Sequence, residues 1–117
     1  MFPLEVQADD VVTNEVVVTW EDKFTELPIE LQKIALCESD VNKDGVPDLE
    51  ASNSKSSATG IFQFIDSTFA WVWGEVYDTP VDWTKKNDPF IQIELANWLY
   101  NKYGNSQWQY PCGSLRE

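Results

Sequence analysis

The stretch from Asp88 to Gly104 carries its own start and stop signals, and it limits what the chain can fold into more than any other. Asp88 is a capping residue, Pro89 takes the first helical position that proline favours, and Gly104 closes the far end. Between them Ile91, Leu95, Trp98 and Leu99 predict one apolar face. Two further stretches keep the same period. Pro28 opens one in which Leu31, Ile34, Ala35 and Glu38 share a face by the i, i+3, i+4, i+7 rule. The other begins near the capping-type pair Asp66-Ser67, with Phe69, Val72, Trp73 and Val76 as its buried side. Residues 39–59 are rich in Asp, Asn and Ser and read as loop. Ahead of the helices, Val16, Val18 and Trp20 alternate with Val17 and Thr19, a strand-like pattern. The expected architecture is mainly α, with short strands at most: an extended acidic segment over 1–26, then one domain over 27–117.

Composition narrows the chemistry. With 117 residues the chain suits one domain with a modest core. Twenty acids against eight bases give a net charge of −12, which would repel nucleic-acid phosphates. No apolar run reaches the length of a membrane span, and the first residues lack the basic and apolar regions of a signal peptide. Histidine is absent, which excludes Ser-His and Cys-His nucleophilic pairs and His-ligated metals. Two cysteines cannot build a structural zinc site. What is left is chemistry by carboxylates, amides, hydroxyls or a hard cation.

Glu38 stands out among the carboxylates as the polar member of an apolar stripe, close to a helix C-terminus. Burial and the negative end of the helix dipole would both raise its pKa. The bland alternative is a solvated carboxylate paired with Lys33 or Lys43. Downstream, Asp40-Val41-Asn42-Lys43-Asp44-Gly45-Val46-Pro47-Asp48 matches the front half of an EF-hand loop. Asp40, Asn42, Asp44 and Asp48 would supply side-chain oxygens and Val46 its carbonyl. The pattern departs at its twelfth position, which is Ala51, with Glu50 one residue early. Structural calcium and a turn of solvated carboxylates are both open readings.

Cys37-Glu38-Ser39, followed by Ser57-Ala58-Thr59-Gly60-Ile61-Phe62-Gln63-Phe64, resembles the lysozyme-like superfamily. The nearest likenesses are the transglycosylase domains of soluble lytic transglycosylases and the resuscitation-promoting factors, with similarity from Leu27 to Ser114. The resemblance implies a small domain with a catalytic cleft, Glu38 as the acid, and Ser39 holding it or the substrate. Gly60, Phe62 and Gln63 would form a sugar-binding turn, with Phe62 where many relatives carry Met. Gln63 could donate and accept hydrogen bonds at once, and Gly60 would let the backbone pass close to the ligand. Ser67-Thr68 with Phe69 continues the likeness. The Ala-Tyr-Asn-Ala-Gly segment of the soluble branch is missing. Trp73 and Trp98 read as core, while Tyr77, Trp83 and Trp108 lie nearer loops and are groove candidates.

Cys37 before the acid and Cys112 after Trp108-Gln109-Tyr110-Pro111 also resemble the resuscitation factors, implying a disulfide and an extracytoplasmic, secreted or cell-wall setting. The implied activity is cleavage of the β-1,4 bond between N-acetylmuramic acid and N-acetylglucosamine in peptidoglycan by a monomer that needs no cofactor for the chemistry. A single acid would leave 1,6-anhydromuramyl ends. The rivals are a hydrolytic lysozyme drawing a second carboxylate from Asp44, Asp48 or Glu50, and a non-catalytic peptidoglycan-binding module.

Overall fold

The computed structural model describes residues 17–108 and Cys112. Among the described residues, four helices and one 3-10 turn follow in order: α1 (Trp20–Thr25), α2 (Ile29–Ser39), α3 (Asp66–Tyr77), the turn Trp83–Lys85, and α4 (Pro89–Tyr103). β-structure among the described residues is confined to two isolated antiparallel bridges, Ser52 with Thr59 and Thr59 with Phe64.

The strand-like alternation through Trp20 is overridden. Thr19 and Asp22 form a reciprocal capping box, in which Thr19 Oγ1 accepts from the Asp22 N–H at 3.2 Å and the Thr19 N–H donates to Asp22 Oδ2 at 3.1 Å. Satisfying two helix-end donors at once makes a turn of helix favourable even beside β-branched neighbours. Val16 lies outside the described residues, and α1 places Phe24 in the core.

The other helices start and stop largely where their caps place them. Pro28 is the N-cap of α2, one position before the helix proper, and Leu31, Ile34 and Ala35 are fully buried. In α3 Asp66 is the first helical residue and not its cap, and its N–H donates to the Ser57 hydroxyl at 2.8 Å. Phe69, Val72 and Trp73 are buried, with Val76 packed at their edge. Asp88 caps α4 by accepting from the N–H groups of Phe90 and Ile91 at 2.9 and 3.3 Å, and Gly104 ends it at φ +65°.

α4 is the hub. It packs against α1, α2 and α3, and its fully buried row is Gln92, Leu95, Ala96 and Leu99. Ile91 and Trp98, expected in that row, are half-buried at its margin. Glu30 on α2 accepts hydrogen bonds from Tyr100 and, at 3.2 Å, from Asn105, tying the start of α2 to the end of α4. The opposite end of α2 is held by a disulfide between Cys37 and Cys112.

That bond closes a loop spanning 75 positions, so it removes much of the freedom of the unfolded chain. Reducing it is expected to cost roughly 4 kcal/mol on the chain-entropy account. Urea unfolding with and without a thiol reductant measures this directly; an unchanged midpoint would show that the bond contributes nothing.

Candidate active site

A cleft of about 420 Å³ opens between the C-terminal end of α2, the turn after Gly60 and the chain beyond α4. That size is typical of small-ligand sites. Its floor and walls include Phe62, Phe64, Leu99 and Trp108, and its polar groups include Glu38, Asn53, Lys55, Gln63, Thr68 and Gln107. Glu38 is half-buried against this apolar wall and makes no ion pair among the described residues. The pairing with Lys33 or Lys43 is therefore not formed. Burial disfavours the carboxylate, and the Glu38 pKa is pushed up from 4.5 to about 7.

Opposite Glu38 the turn 59–63 is tied down from three directions. Ser39 Oγ lies 2.9 Å from the Ile61 carbonyl and equally close to that of Ala35, so its one proton serves either acceptor. Gln92 of α4 accepts the Phe62 N–H at 2.9 Å while its amide nitrogen reaches the carbonyls of Thr59 and Lys86 at 3.3 and 2.6 Å. Trp108 Nε1 donates to the Phe62 carbonyl at 3.2 Å. The backbone at Gln63 is left-handed, at φ +54°. Its side-chain nitrogen donates to the carbonyls of Ala51 and Gly60, both at 3.0 Å. Gln63 Oε1 has no partner among the described residues and is the free end of an amide on the cleft wall.

A family model for the transglycosylase SLT domain matches residues 15–112. The chain belongs to that family. Comparisons with curated proteins and with solved structures gave no match. Enzymes of this family cleave peptidoglycan and need no cofactor for the chemistry.

Within this transglycosylase domain the residues singled out in the sequence divide into two groups. Glu38, Phe62, Gln63 and Trp108 line the cleft together. Phe62 is fully buried and Trp108 nearly so, their rings 6.0 Å apart, so both act chiefly as wall. Ser39 is fully buried and holds the turn; it offers no surface to a ligand. Gly60 does not line the cleft. Its φ is +87°, and a Cβ there would sit 2.4 Å from Gln92 Nε2, so glycine makes room for the buried amide. Tyr77 and Trp83 are elsewhere. The Tyr77 hydroxyl donates to Glu94 and its ring meets Trp73 at 4.6 Å; burial first, then that carboxylate, pushes the phenol pKa up. Trp83 packs on Phe69 at 5.8 Å and is otherwise exposed.

The loop from Asp40 to Asp48, open to calcium or to a turn of solvated carboxylates, is folded by side-chain-to-backbone hydrogen bonds. Asp40 accepts the N–H groups of Asp44 and Gly45 at 3.0 and 2.9 Å, Asp44 that of Val46 at 3.0 Å, and Asp48 that of Glu50 at 3.0 Å. No three acidic side chains converge on a metal-sized site among the described residues, so the structure lends calcium at Asp40, Asn42, Asp44, Val46 and Asp48 no support. The front half of an EF-hand and a run of Asx turns use the same residue types, which is why the sequence left both readings open.

Gln92 is a residue that sequence reasoning missed, as it missed Asn53, Lys55, Thr68 and Gln107 in the cleft lining, although for Gln92 a signal existed. It stands at i, with Leu95, Ala96 and Leu99 at i+3, i+4 and i+7, a polar member of an apolar row as Glu38 is in α2.

The two glycines give a paired test. Gly60→Ala is expected to destabilise by about 3 kcal/mol, combining a left-handed backbone with a clash against a buried amide. Gly45→Ala, at φ +83° with nothing within 4 Å of the new methyl, should cost about 1 kcal/mol. Equal losses in urea unfolding would show that Gln92 is not what requires glycine at 60.

Proposed function

We propose that this domain is a lytic transglycosylase that cuts the β-1,4 bond between N-acetylmuramic acid and N-acetylglucosamine, with Glu38 as its one acid–base group. The observation that carries the reading is a carboxyl whose pKa is about 7, facing a cleft that holds no second acid among its lining residues. Near neutral pH a useful fraction of Glu38 is protonated and can give its proton to the glycosidic oxygen as the C1–O bond breaks. The carboxylate left behind then takes the proton of the muramic C6 hydroxyl, whose oxygen bonds to C1. Atoms balance without water: one strand ends in a 1,6-anhydro sugar and the other in a free 4-hydroxyl. Gln63 Oε1 would accept from a sugar hydroxyl or acetamido N–H, a role its free end on the cleft wall supports.

The hydrolytic alternative needs a second carboxylate to activate water. Asp44 and Asp48 each accept a backbone N–H, and neither they nor Glu50 lines the cleft, which supports the single-acid route. The disulfide and a cell-wall substrate together support an extracytoplasmic setting.

Mass spectrometry of fragments released from purified peptidoglycan tests the proposal. Wild type should yield anhydro-muropeptides, and Glu38→Gln should lower the rate by about 10³-fold. The sign of the pH response follows from the acid role: kcat/KM should be level below the Glu38 pKa of about 7 and fall about tenfold per pH unit above it. Reducing-end products would establish the lysozyme route. Retained strand binding without turnover would leave a binding module.

A further inference from the structure

The cleft lining contains two ionisable side chains, Glu38 and Lys55, in a chain with 20 acids and 8 bases. Every other acid among the described residues lies off the cleft. Lys55 sits on a turn whose backbone is closed upon itself. The Asn53 N–H donates to the Ala58 carbonyl at 3.1 Å, the Lys55 N–H to Asn53 Oδ1 at 2.8 Å, and the Ser56 N–H to the Asn53 carbonyl at 3.3 Å. The outer side of the turn is fastened by a different lysine. Lys86 Nζ bridges the Ser57 carbonyl at 3.0 Å and Asp66 Oδ1 at 2.8 Å. Lys86 is thus occupied in holding the turn, whereas Lys55 has no carboxylate within ion-pair distance among the described residues. The result is a hydrogen-bonded turn that places Lys55 in the cleft lining with no carboxylate partner among the described residues.

A glycan strand of the proposed kind carries a lactyl carboxylate on each muramic residue that bears no stem peptide, and carboxylates on the stem peptide where one is attached by an amide at that position. Such a strand approaching a protein of net charge −12 meets repulsion over most of the surface. A local cation at the cleft reverses that sign where the strand must bind. We propose that Lys55 is a specificity-determining residue that receives a strand carboxylate and selects acidic muramic-containing glycans over neutral ones; this rests on reading the cleft as a peptidoglycan site. Lys55 takes no part in proton transfer.

Three soluble strands of equal length decide it: peptide-bearing, peptide-free with lactyl carboxylates, and peptide-free with those carboxylates amidated. Calorimetric Kd values would be measured for wild type, Lys55→Gln and Lys55→Arg. Wild type should bind a carboxylate strand about fivefold more tightly than the amidated one, as expected for an exposed ion pair, and lose that preference in about 0.5 M salt. Lys55→Gln should bind charged and amidated strands alike, and Lys55→Arg should keep the preference. A preference already present without peptide assigns the lactyl carboxylate; one seen only with peptide assigns the stem. Equal weakening of all three strands by Lys55→Gln, no discrimination by wild type, or no binding at all would overturn the proposal. Discrimination by a wild type that releases no fragments would sink the catalytic reading and leave the role of Lys55 standing.

Discussion

The buried backbone of residues 59–63 is the constraint on which the site depends. A turn that leaves regular structure and passes through the core exposes N–H and C=O groups that must find partners away from water. Here the partners are side chains from three separate parts of the chain: Ser39 at the end of α2, Gln92 in the middle of α4, and Trp108 beyond it. The same bonds that satisfy the turn therefore fix its distance from α2, and α2 carries Glu38. The cleft is a by-product of that satisfaction. Removing any one partner would leave a buried polar group unpaired, at a cost of about 1–3 kcal/mol.

Glu38 gains its chemistry from what surrounds it. Phe62, Phe64, Leu99 and Trp108 present apolar surface to one wall of the cleft, and the described residues give the carboxylate no cation to lean on. Desolvation alone therefore sets the direction of its pKa. The other acids among the described residues lie off the cleft, so no neighbouring carboxyl among them competes there for the proton on Glu38. Adjacent residues divide the labour: Glu38 faces the cleft, Ser39 faces the core, and Cys37 joins the helix end to Cys112.

Much of the helical frame was legible because its signals are local. Asp88, Pro89 and Gly104 bracket α4, and apolar residues at helical spacing mark the buried sides of α2 and α3. α1 was hidden because alternating valines outweigh a capping box when propensity alone is read, whereas Thr19 and Asp22 form two hydrogen bonds at a stroke. In the cleft, Glu38 and Gln63 were legible through motif and resemblance. Gln92 was not, since an apolar row drawn through Ile91 and Trp98 hides the neighbouring row in which the amide sits. The separation of Tyr77 and Trp83 from the cleft depends on how α3 packs, which no local pattern encodes. Gly60 was legible as a tight turn, but the reason for it, a glutamine 32 positions later, is purely tertiary.

The account stands on a protonated carboxyl at neutral pH. Carbon-13 NMR of the glutamate side-chain carboxyls, with Glu38→Gln to assign the signal, would follow that proton directly across a pH series. A midpoint for Glu38 near 7 is the expected result. A midpoint near 4.5, the ordinary value, would mean that the carboxyl is solvated and ionised at neutral pH and would contradict its role as the acid.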